Sequence, residues 1–324
     1  MKRLSLTLMS PLLLACAQAP SPAPESGFGG GWVLYPVLSA TSRPYVEAEG
    51  CPPQGWDEAK LEALKADGFE IADASTREAF AKAITACLAS PDPALRDGIA
   101  FEALTHLLRG RQLSNDTMRA LLVELTARLK LAKEDPEGFG QSFAALSLSE
   151  VARADRIAAY LTEDELTTLL VDAQHWFINI EDYRGYSDAE GWRHSVAHGS
   201  DLLMQLSLNP RIDAEGLRLI VSAIGVQVAP RIHAYVHGEP ERLARPILFA
   251  AQRGAMTEVE WTEWLMALAT TDAPDNVFSS EFGLAWRHNT LAFLQALYVS
   301  IELSDDPAFA VLRPGVEAAL KAMP

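Results

Sequence analysis

The chain has 324 residues, of which 49% are hydrophobic and 22% are charged, and its formal net charge is −16. This composition is typical of a globular protein that can bury a core. A chain this acidic repels a phosphate backbone unless it carries a separate basic segment, and no run of Lys and Arg would form one. We therefore do not expect nucleic acid as a partner.

The N-terminus is typical of an export signal. Two basic residues precede a mostly apolar segment over 4–14, which is too short to span a bilayer but suits a signal-peptide core. The segment ends in "LLAC", which resembles the lipobox of bacterial lipoproteins, in which the cysteine becomes the lipidated N-terminus. This pattern predicts a signal peptide over 1–15 and lipidation of Cys16. The alternative is an ordinary secretory signal that is cut near Ala19.

The segment after Cys16 has the composition of a tether. Residues 17–31 are rich in Pro, Ser, Ala and Gly, so we expect a flexible linker within 16–50. Two or three acyl chains anchor a protein to a membrane more firmly than one. We therefore predict an exported protein of the bacterial cell envelope, a periplasmic lipoprotein held to the membrane by its N-terminal lipid.

Lipidation of Cys16 leaves two cysteines, Cys51 and Cys87, in an oxidising compartment. A disulfide between them is the natural interpretation, and two free buried thiols are the alternative. We do not expect them to bind metal, because neither has a second cysteine or a histidine at ligand spacing.

Nearly every segment after residue 55 has helical periodicity, beginning with a helix over 57–68. Three predicted helix starts carry a capping box, in which Ser or Thr is followed three residues later by Glu. These are Thr162 with Glu165, Ser187 with Glu190, and Thr257 with Glu260. Later helices are predicted over 138–159, 213–228, 240–253, 281–303 and 306–321. No alternating β-branched runs are joined by Asn-Gly or Asp-Gly turns, so we do not expect a sheet.

Helices of this length with short connections predict an all-α fold of stacked antiparallel helix pairs. Such pairs form an α/α solenoid of the HEAT-like kind or an incomplete toroid. No linker rich in Pro and Gly divides the region after residue 50. We therefore predict one all-helical domain over 51–324.

The most unusual pattern contains two histidines four residues apart, His194 and His198, followed by Asp201. If a helix begins at about Asp188, these three and Gln205 form one stripe on an otherwise apolar helix. A stripe that faces solvent would favour Lys and Glu. The short titratable side chains therefore predict either the wall of a cleft or a buried polar network.

Three interpretations of this stripe stay open. His194, His198 and Asp201 are suitable ligands for Zn, Fe or Mn, although the glutamate of H-E-x-x-H hydrolases is missing. The same residues suit a ligand-binding or acid–base catalytic cleft, or a purely structural network. A serine hydrolase that uses Ser195 or Ser200 is disfavoured, because neither lies on a strained turn.

Further candidates surround the stripe. Arg184 and Tyr186 precede it and suit an anionic or sugar ligand, or else form a packed loop. A second pair, His233 and His237, is again four residues apart and is predicted to lie on a short helix that ends at Gly238. The sequence does not show whether this pair faces the first.

Three segments resemble the signature blocks of a bacterial family catalogued only as domain of unknown function 2785. They read "YRGYSDAEGWRHSVAHGSDLL", "HGEPERLARPI" and "RHNTLAFLQALY", and the resemblance is strongest over about 180–300. It implies an all-helical domain and brings no activity. It also implies that the histidine stripe, Arg184, and Glu239 with Arg242 belong to one unit.

Two functions compete at this point. One is an exported, membrane-tethered binding protein that holds an envelope protein or polysaccharide in a cleft. The other is a hydrolase or lyase, metal-dependent or acting by His-Asp acid–base chemistry, on a cell-envelope substrate. The candidate catalytic residues are His194, His198, Asp201, Arg184 and Tyr186. The candidate ligand-binding residues are Arg184, Trp192, Glu239 and Arg242.

Overall fold

The computed structural model describes residues 49–130, 135–230, 232–271 and 273–324. The predicted signal peptide, Cys16 and nearly all of the tether lie outside these residues. The described residues belong to one compact unit. None of their helices is long and apolar enough to cross a membrane.

Helices dominate the described chain, and the only strands in it are two short ones. In chain order the helices are α1 Glu58–Ala66, α2 Ala74–Ala83, α3 Pro93–Leu95, α4 Glu102–Arg109, α5 Asn115–Leu129, α6 Gly140–Ile157, α7 Glu163–Ile178, α8 Ser195–Ser207, α9 Ala214–Val228, α10 Glu239–Gln252, α11 Glu258–Met266, α12 Glu281–Leu303 and α13 Arg313–Ala322. Shorter 3₁₀ or π segments cover Ile84–Ala89, Arg96–Phe101, Ala267–Thr271 and Pro307–Leu312. Strands β1 Tyr186–Ser187 and β2 Gly191–Trp192 form an antiparallel hairpin. The predicted all-α class is confirmed.

The helices stack in two layers. In one layer α4, α6, α8, α10 and α12 each pack against the next, and in the other α2, α5, α7 and α9 do the same. Consecutive helices pair across the layers, namely α5 with α6, α7 with α8, and α9 with α10. This is the predicted stack of helix pairs, and it places α8 between α6 and α10.

Two of the three predicted capping boxes form, and the third does not. Thr162 with Glu165, and Thr257 with Glu260, each exchange both side-chain to backbone hydrogen bonds. Ser187 lies instead in the β-hairpin, where its Oγ accepts the N–H of Glu190 at 3.2 Å. The predicted helix start near residue 188 is therefore wrong, and α8 begins at Ser195.

The central helix α8 is buried along its whole length except at Met204. A Cβ at Gly199 would lie 2.5 Å from Cδ2 of Phe177. Glycine at this position therefore allows α7 to pack closely against α8. A residue on such a helix is buried whether it is polar or apolar, so its polar side chains need partners from neighbouring helices.

A disulfide joins Cys51, before α1, to Cys87, after α2. This is the pair that the sequence predicted. The bridge spans 36 positions of the chain, and closing a loop of that length in the unfolded chain stabilises the fold by about 4 kcal/mol in the chain-entropy account.

Candidate functional site

Two buried arginines hold the hairpin against the helices. Arg96 donates to the carbonyl oxygen of Glu190 at 2.8 Å. Arg193 donates to the carbonyl oxygen of Glu137 at 2.6 Å and to the carboxylate of Glu190 at 2.9 Å. The guanidinium carbons of Arg96 and Arg193 lie 4.0 and 4.2 Å from the ring centre of Phe139, a cation–π arrangement. These contacts position the backbone that leads into α8.

His194 lies directly before α8 in the left-handed conformation, with φ 58° and ψ 37°. Its N–H donates to the carbonyl oxygen of Arg184 at 3.0 Å. Such a conformation costs a non-glycine residue about 1–3 kcal/mol and is often found at functional sites. The prediction of one helical stripe is therefore wrong for His194, whereas His198, Asp201 and Gln205 do share α8.

The side chain of His194 belongs to an aromatic–histidine cluster, which consists of Tyr186, Trp192, His194, His237 and Glu239. The rings of Trp192 and His194 are stacked, with their centres 4.5 Å apart. The ring of His237 lies edge-on to both, 5.9 Å from Trp192 and 6.5 Å from His194. Tyr186 is 5.0 Å from Trp192 and half exposed. One member of the second histidine pair therefore does join the first pair.

Glu239 is the buried carboxylate of this cluster, with 2% of its surface exposed. Its Oε1 lies 3.5 Å from Nε2 of His194 and 3.9 Å from Nδ1 of His237, and its Oε2 accepts the N–H of His237 at 2.9 Å. Burial acts to raise the pKa of Glu239. The nearby ring nitrogen of His194 and hydrogen bonds from backbone N–H groups outweigh burial and lower the pKa below its usual range. Glu239 is therefore ionised at neutral pH.

The segment that carries His233 and His237 is not the short helix that we predicted. Residues 233–236 have no regular secondary structure, and Gly238, with φ 85°, precedes α10 instead of ending a helix. The ring of His233 stacks on Tyr183 at 5.8 Å. His233 therefore lies in a separate contact from His237.

Helix α12 supports this segment through its backbone. The Asn289 side chain accepts the N–H of Tyr235 and donates to the carbonyl oxygen of His233, both at 2.8 Å. His288 Nε2 lies 2.9 Å from the carbonyl oxygen of Tyr235. The third family-like segment therefore positions the backbone that leads into the second, which carries His237 and Glu239.

Glycine permits the approach of His237 to the hairpin. A Cβ at Gly185 would lie 2.1 Å from Nδ1 of His237. The neighbouring Arg184 is half exposed, and its guanidinium is paired with Asp182 at 2.6 Å and with the carbonyl oxygen of Glu137 at 3.1 Å. The side chain of Arg184 therefore links the chain before the hairpin to the backbone at Glu137. Its carbonyl oxygen accepts the N–H of His194.

His198 is buried on α8 and is held by Ser142 of α6. Its Nδ1 lies 2.8 Å from Oγ of Ser142, and that hydroxyl donates to the carbonyl oxygen of Arg193. The hydroxyl hydrogen is thus used, so the network assigns the proton of His198 to Nδ1 and leaves the lone pair on Nε2. Burial, and then the positive charges of His194 and Arg242, hold the pKa of His198 well below its usual range.

A second group of polar residues continues along α8 away from His198. We call it the arginine–carboxylate seam, which consists of Arg109, Glu150, Arg156, Asp201, Gln205, Arg242 and Arg245. Arg242 Nη1 contacts Oδ2 of Asp201, and Arg245 Nη1 lies 3.7 Å from Oδ1 of the same carboxylate. Burial raises the pKa of Asp201, and both arginines oppose this effect.

The other carboxylate of the seam is Glu150 on α6. Arg109 binds it through two hydrogen bonds of 2.8 and 2.5 Å. Arg156 donates to Oε1 of Gln205 at 3.2 Å. The side chains of Glu150 and Asp201 are 6% and 7% exposed, whereas those of Arg109, Arg242 and Arg245 are 34%, 25% and 34% exposed. The seam therefore has a buried acidic floor and a basic rim that reaches solvent.

The three predicted metal ligands each contact a different partner. His194 lies against Glu239, His198 against Ser142, and Asp201 against Arg242. The part of the chain that the structure describes contains no group of three or more His, Cys, Asp or Glu side chains placed to hold a metal ion. This geometry gives the metal hypothesis no support.

Several residues of the site were missed by sequence reasoning. Ser142, Glu150 and Arg245 were not candidates, although Ser142 contacts His198, and Glu150 and Arg245 lie near Asp201. One signal was present in the sequence, because Arg153 with Arg156, and Arg242 with Arg245, are spaced three apart on predicted helices of an acidic chain. Such spacing places two side chains on one helix face.

Comparison with known proteins gives one family. The sequence model of the family described as "Protein of unknown function (DUF2785)" matches residues 121–299. This range contains α6, α8 and α10 together with the hairpin. No curated protein and no solved structure matches the chain.

Proposed function

The chain belongs to the DUF2785 family, and we propose that it is an exported, membrane-tethered helical-repeat protein that binds a ligand along the polar face of α8. The match confirms the resemblance of the three sequence segments. Export and tethering rest on the basic, apolar and "LLAC" pattern of residues 1–16. Binding rests on the geometry of the site.

One observation carries the binding proposal. Three atoms on this face are buried and have no hydrogen-bond partner among the described residues, namely His194 Nε2, His237 Nδ1 and Asp201 Oδ1. The oppositely charged groups that face these atoms lie at 3.5, 3.9 and 3.7 Å, respectively. Nearly all buried polar groups in native proteins are paired, and an unpaired one costs about 1–3 kcal/mol. A ligand that hydrogen-bonds to these atoms removes that cost.

The surroundings of these atoms favour binding over a closed structural network. The arginines above Asp201 reach solvent, and Tyr186 beside the histidines is 47% exposed. His194 also adopts a backbone conformation that the fold has to stabilise. Buried unpaired atoms beneath an accessible rim are what a binding site for a polar ligand requires.

The test is a thermal-shift screen of the full chain in detergent against a library of sugars, sugar acids and small metabolites. We expect compounds that raise the melting temperature of the wild type and lose that effect in the variant His194→Gln/His237→Gln. A variant with Arg218→Gln on α9, an exposed side chain that pairs with Glu260, serves as control and should respond like the wild type. A library without any compound that distinguishes the site variant from the control contradicts the proposal.

A second candidate is acid–base cleavage of a cell-envelope polysaccharide, and the state of His198 favours it. The neutral ring holds its proton on Nδ1 and leaves Nε2 unprotonated, so that Nε2 can accept a proton. Asp201 pairs with Arg242 and not with a histidine, so the carboxylate beside a histidine is Glu239. Mass spectrometry of oligosaccharides incubated with the wild type tests this candidate. New products that disappear in His198→Gln support it, and unchanged oligosaccharides contradict it.

A further inference from the structure

Together with Arg153 on α6, the arginines of the seam outnumber the two carboxylates of the seam. We propose that the ligand is anionic and that Arg153 and Arg245 hold its carboxylate or phosphate oxygens. This inference rests on the proposed function, because it names the chemistry of the ligand for the same face of α8.

The charge at this face is opposite to that of the whole chain. The formal net charge of the protein is −16. Along α8, however, four guanidinium groups lie near the two buried carboxylates Glu150 and Asp201, namely those of Arg109, Arg156, Arg242 and Arg245. Arg153 adds a fifth on α6, where it stands three residues from Glu150 and three from Arg156, a spacing that makes side chains neighbours on a helix. The exposed Glu241 is a further carboxylate near Arg245. A local excess of positive charge in an acidic protein attracts anions and repels competing cations.

The guanidinium groups differ in how many of their N–H donors have hydrogen-bond partners. Arg109 makes two hydrogen bonds to Glu150, and Arg242 contacts Asp201 directly. Arg245 lies 3.7 Å from Asp201 without a hydrogen bond to it, and the side chain of Arg153 makes no hydrogen bond or ion pair within the described ranges. Arg245 and Arg153 are therefore the two side chains whose guanidinium N–H donors are most available to a ligand.

Both of these side chains are partly buried beside another arginine. Arg245 lies near Arg242, and Arg153 lies near Arg156. Partial burial beside a like charge is unfavourable, and an anion between the guanidinium groups relieves both effects. Because a guanidinium presents its donors as a planar fork, it matches carboxylate and phosphate oxygens in a two-pronged contact.

The unpaired Oδ1 of Asp201 adds a second requirement for the ligand. A carboxylate oxygen accepts hydrogen bonds only, so the ligand needs a donor, such as a hydroxyl, close to its anionic group. Sugar acids and sugar phosphates meet both requirements. The two share the chemistry of an anionic oxygen beside a hydroxyl, and the experiment separates them.

The experiment is calorimetric titration of the full chain in detergent with three probes. Tetragalacturonic acid carries carboxylates, glucose 1-phosphate carries a phosphate, and maltotetraose is the neutral control. We expect at least one acidic probe to bind at least tenfold more tightly than maltotetraose, and to bind more weakly as salt is raised. The variant Arg153→Gln/Arg245→Gln should lose at least tenfold in affinity for that probe.

The matched control removes two arginines elsewhere, in the variant Arg218→Gln/Arg313→Gln. These residues pair with Glu260 and Glu302 at the surface, so the net charge changes equally while the seam stays intact. We expect the affinity of this control to stay within twofold of the wild type. Equal losses in the two double variants overturn the inference, because they show only a long-range effect of net charge.

The remaining outcomes separate this inference from the proposed function. If neutral and acidic probes bind equally, and His194→Gln/His237→Gln loses both, the anion inference is wrong and the binding site stands. If none of the probes binds and the library screen also finds no compound, both are wrong. The variant Arg153→Lys/Arg245→Lys keeps the charge without the fork, and its partial recovery of affinity supports direct contact.

Discussion

The two ends of the polar face of α8 differ in how their buried carboxylates are stabilised. At the aromatic–histidine cluster, Glu239 lies 3.5 Å from the ring nitrogen of His194 and accepts hydrogen bonds from backbone N–H groups, and its pKa is lowered. In the arginine–carboxylate seam, Asp201 contacts Arg242, yet burial dominates and its pKa is raised. Burial is the largest cause at both carboxylates, and only at Glu239 do the surrounding donors outweigh it.

The ion pair between Asp201 and Arg242 gives the largest expected effect. Arg242→Ala leaves Asp201 buried beside the more distant Arg245, and breaking a buried pair from one side costs about 3–5 kcal/mol. Chemical denaturation of Arg242→Ala should show this loss in the free energy of unfolding. Arg218→Ala, at a surface pair, should change it by less than about 1 kcal/mol. Similar values for the two variants would show that Asp201 does not depend on Arg242.

The aromatic–histidine cluster is expected to respond to added volume. Gly185→Ala places a Cβ on His237, which has to move. Overpacking of this kind costs about 1–3 kcal/mol. Gly55→Ala, where no atom lies within 4 Å of the added Cβ, is the comparison for a glycine substitution away from the cluster. We expect the histidine side-chain NMR resonances of His194 and His237 to shift in Gly185→Ala and to stay unchanged in Gly55→Ala.

His198, which lies between the aromatic–histidine cluster and the arginine–carboxylate seam, should make the free energy of unfolding depend on pH. Its pKa in the folded state lies below the unfolded value of 6.5, so its contribution is fully present above pH 6.5 and is lost as the pH falls toward the folded pKa. In His198→Gln this part of the acid destabilisation should be missing. Denaturation midpoints of both proteins, measured from pH 7.5 to 5, check this. Parallel pH profiles for wild type and variant would contradict the assigned neutral state.

The smallest expected effect is the contribution of Glu239 to the pH dependence of stability, which falls at lower pH than that of His198. Because its folded pKa is lowered from 4.5, its contribution is present above pH 4.5 and is lost as the pH falls through the folded value. Glu239→Gln should therefore be less stable than the wild type at neutral pH, and the gap should narrow below pH 4.5. A gap that widens with acid would reverse the sign that we assign to this carboxylate.

The sequence predicted the helical stack because helix periodicity and capping are local properties. Thr162 with Glu165 capped a helix as expected, whereas Ser187 with Glu190 has the same spacing and forms a hairpin. The deciding contact is Arg96, which reaches Glu190 from 94 positions away. The residue spacing within a short segment does not show contacts with residues that are distant in the sequence. The start of α8 and the conformation of His194 therefore could not be predicted.

The site was predicted in part for the same reason. His194, His198, Asp201, Glu239 and Arg242 were candidates because they stood out within short segments, and the structure brings them to one face. Their partners on other helices, among them Ser142, became apparent only once α6 packed on α8. Family resemblance grouped the three segments, and the contact of α12 with the segment of His237 gives the physical reason.

An NMR titration of the full chain, labelled with ¹⁵N in arginine and histidine, tests most directly whether the polar face of α8 binds the ligand; the titrant is the tightest probe from calorimetry. We predict that the largest shifts fall on the side chains of Arg153, Arg245, His194 and His237, and that Arg218 and Arg313 are unaffected. Shifts that are largest at those two surface arginines, or spread evenly over all arginines, would contradict the claim that the polar face of α8 is the binding site.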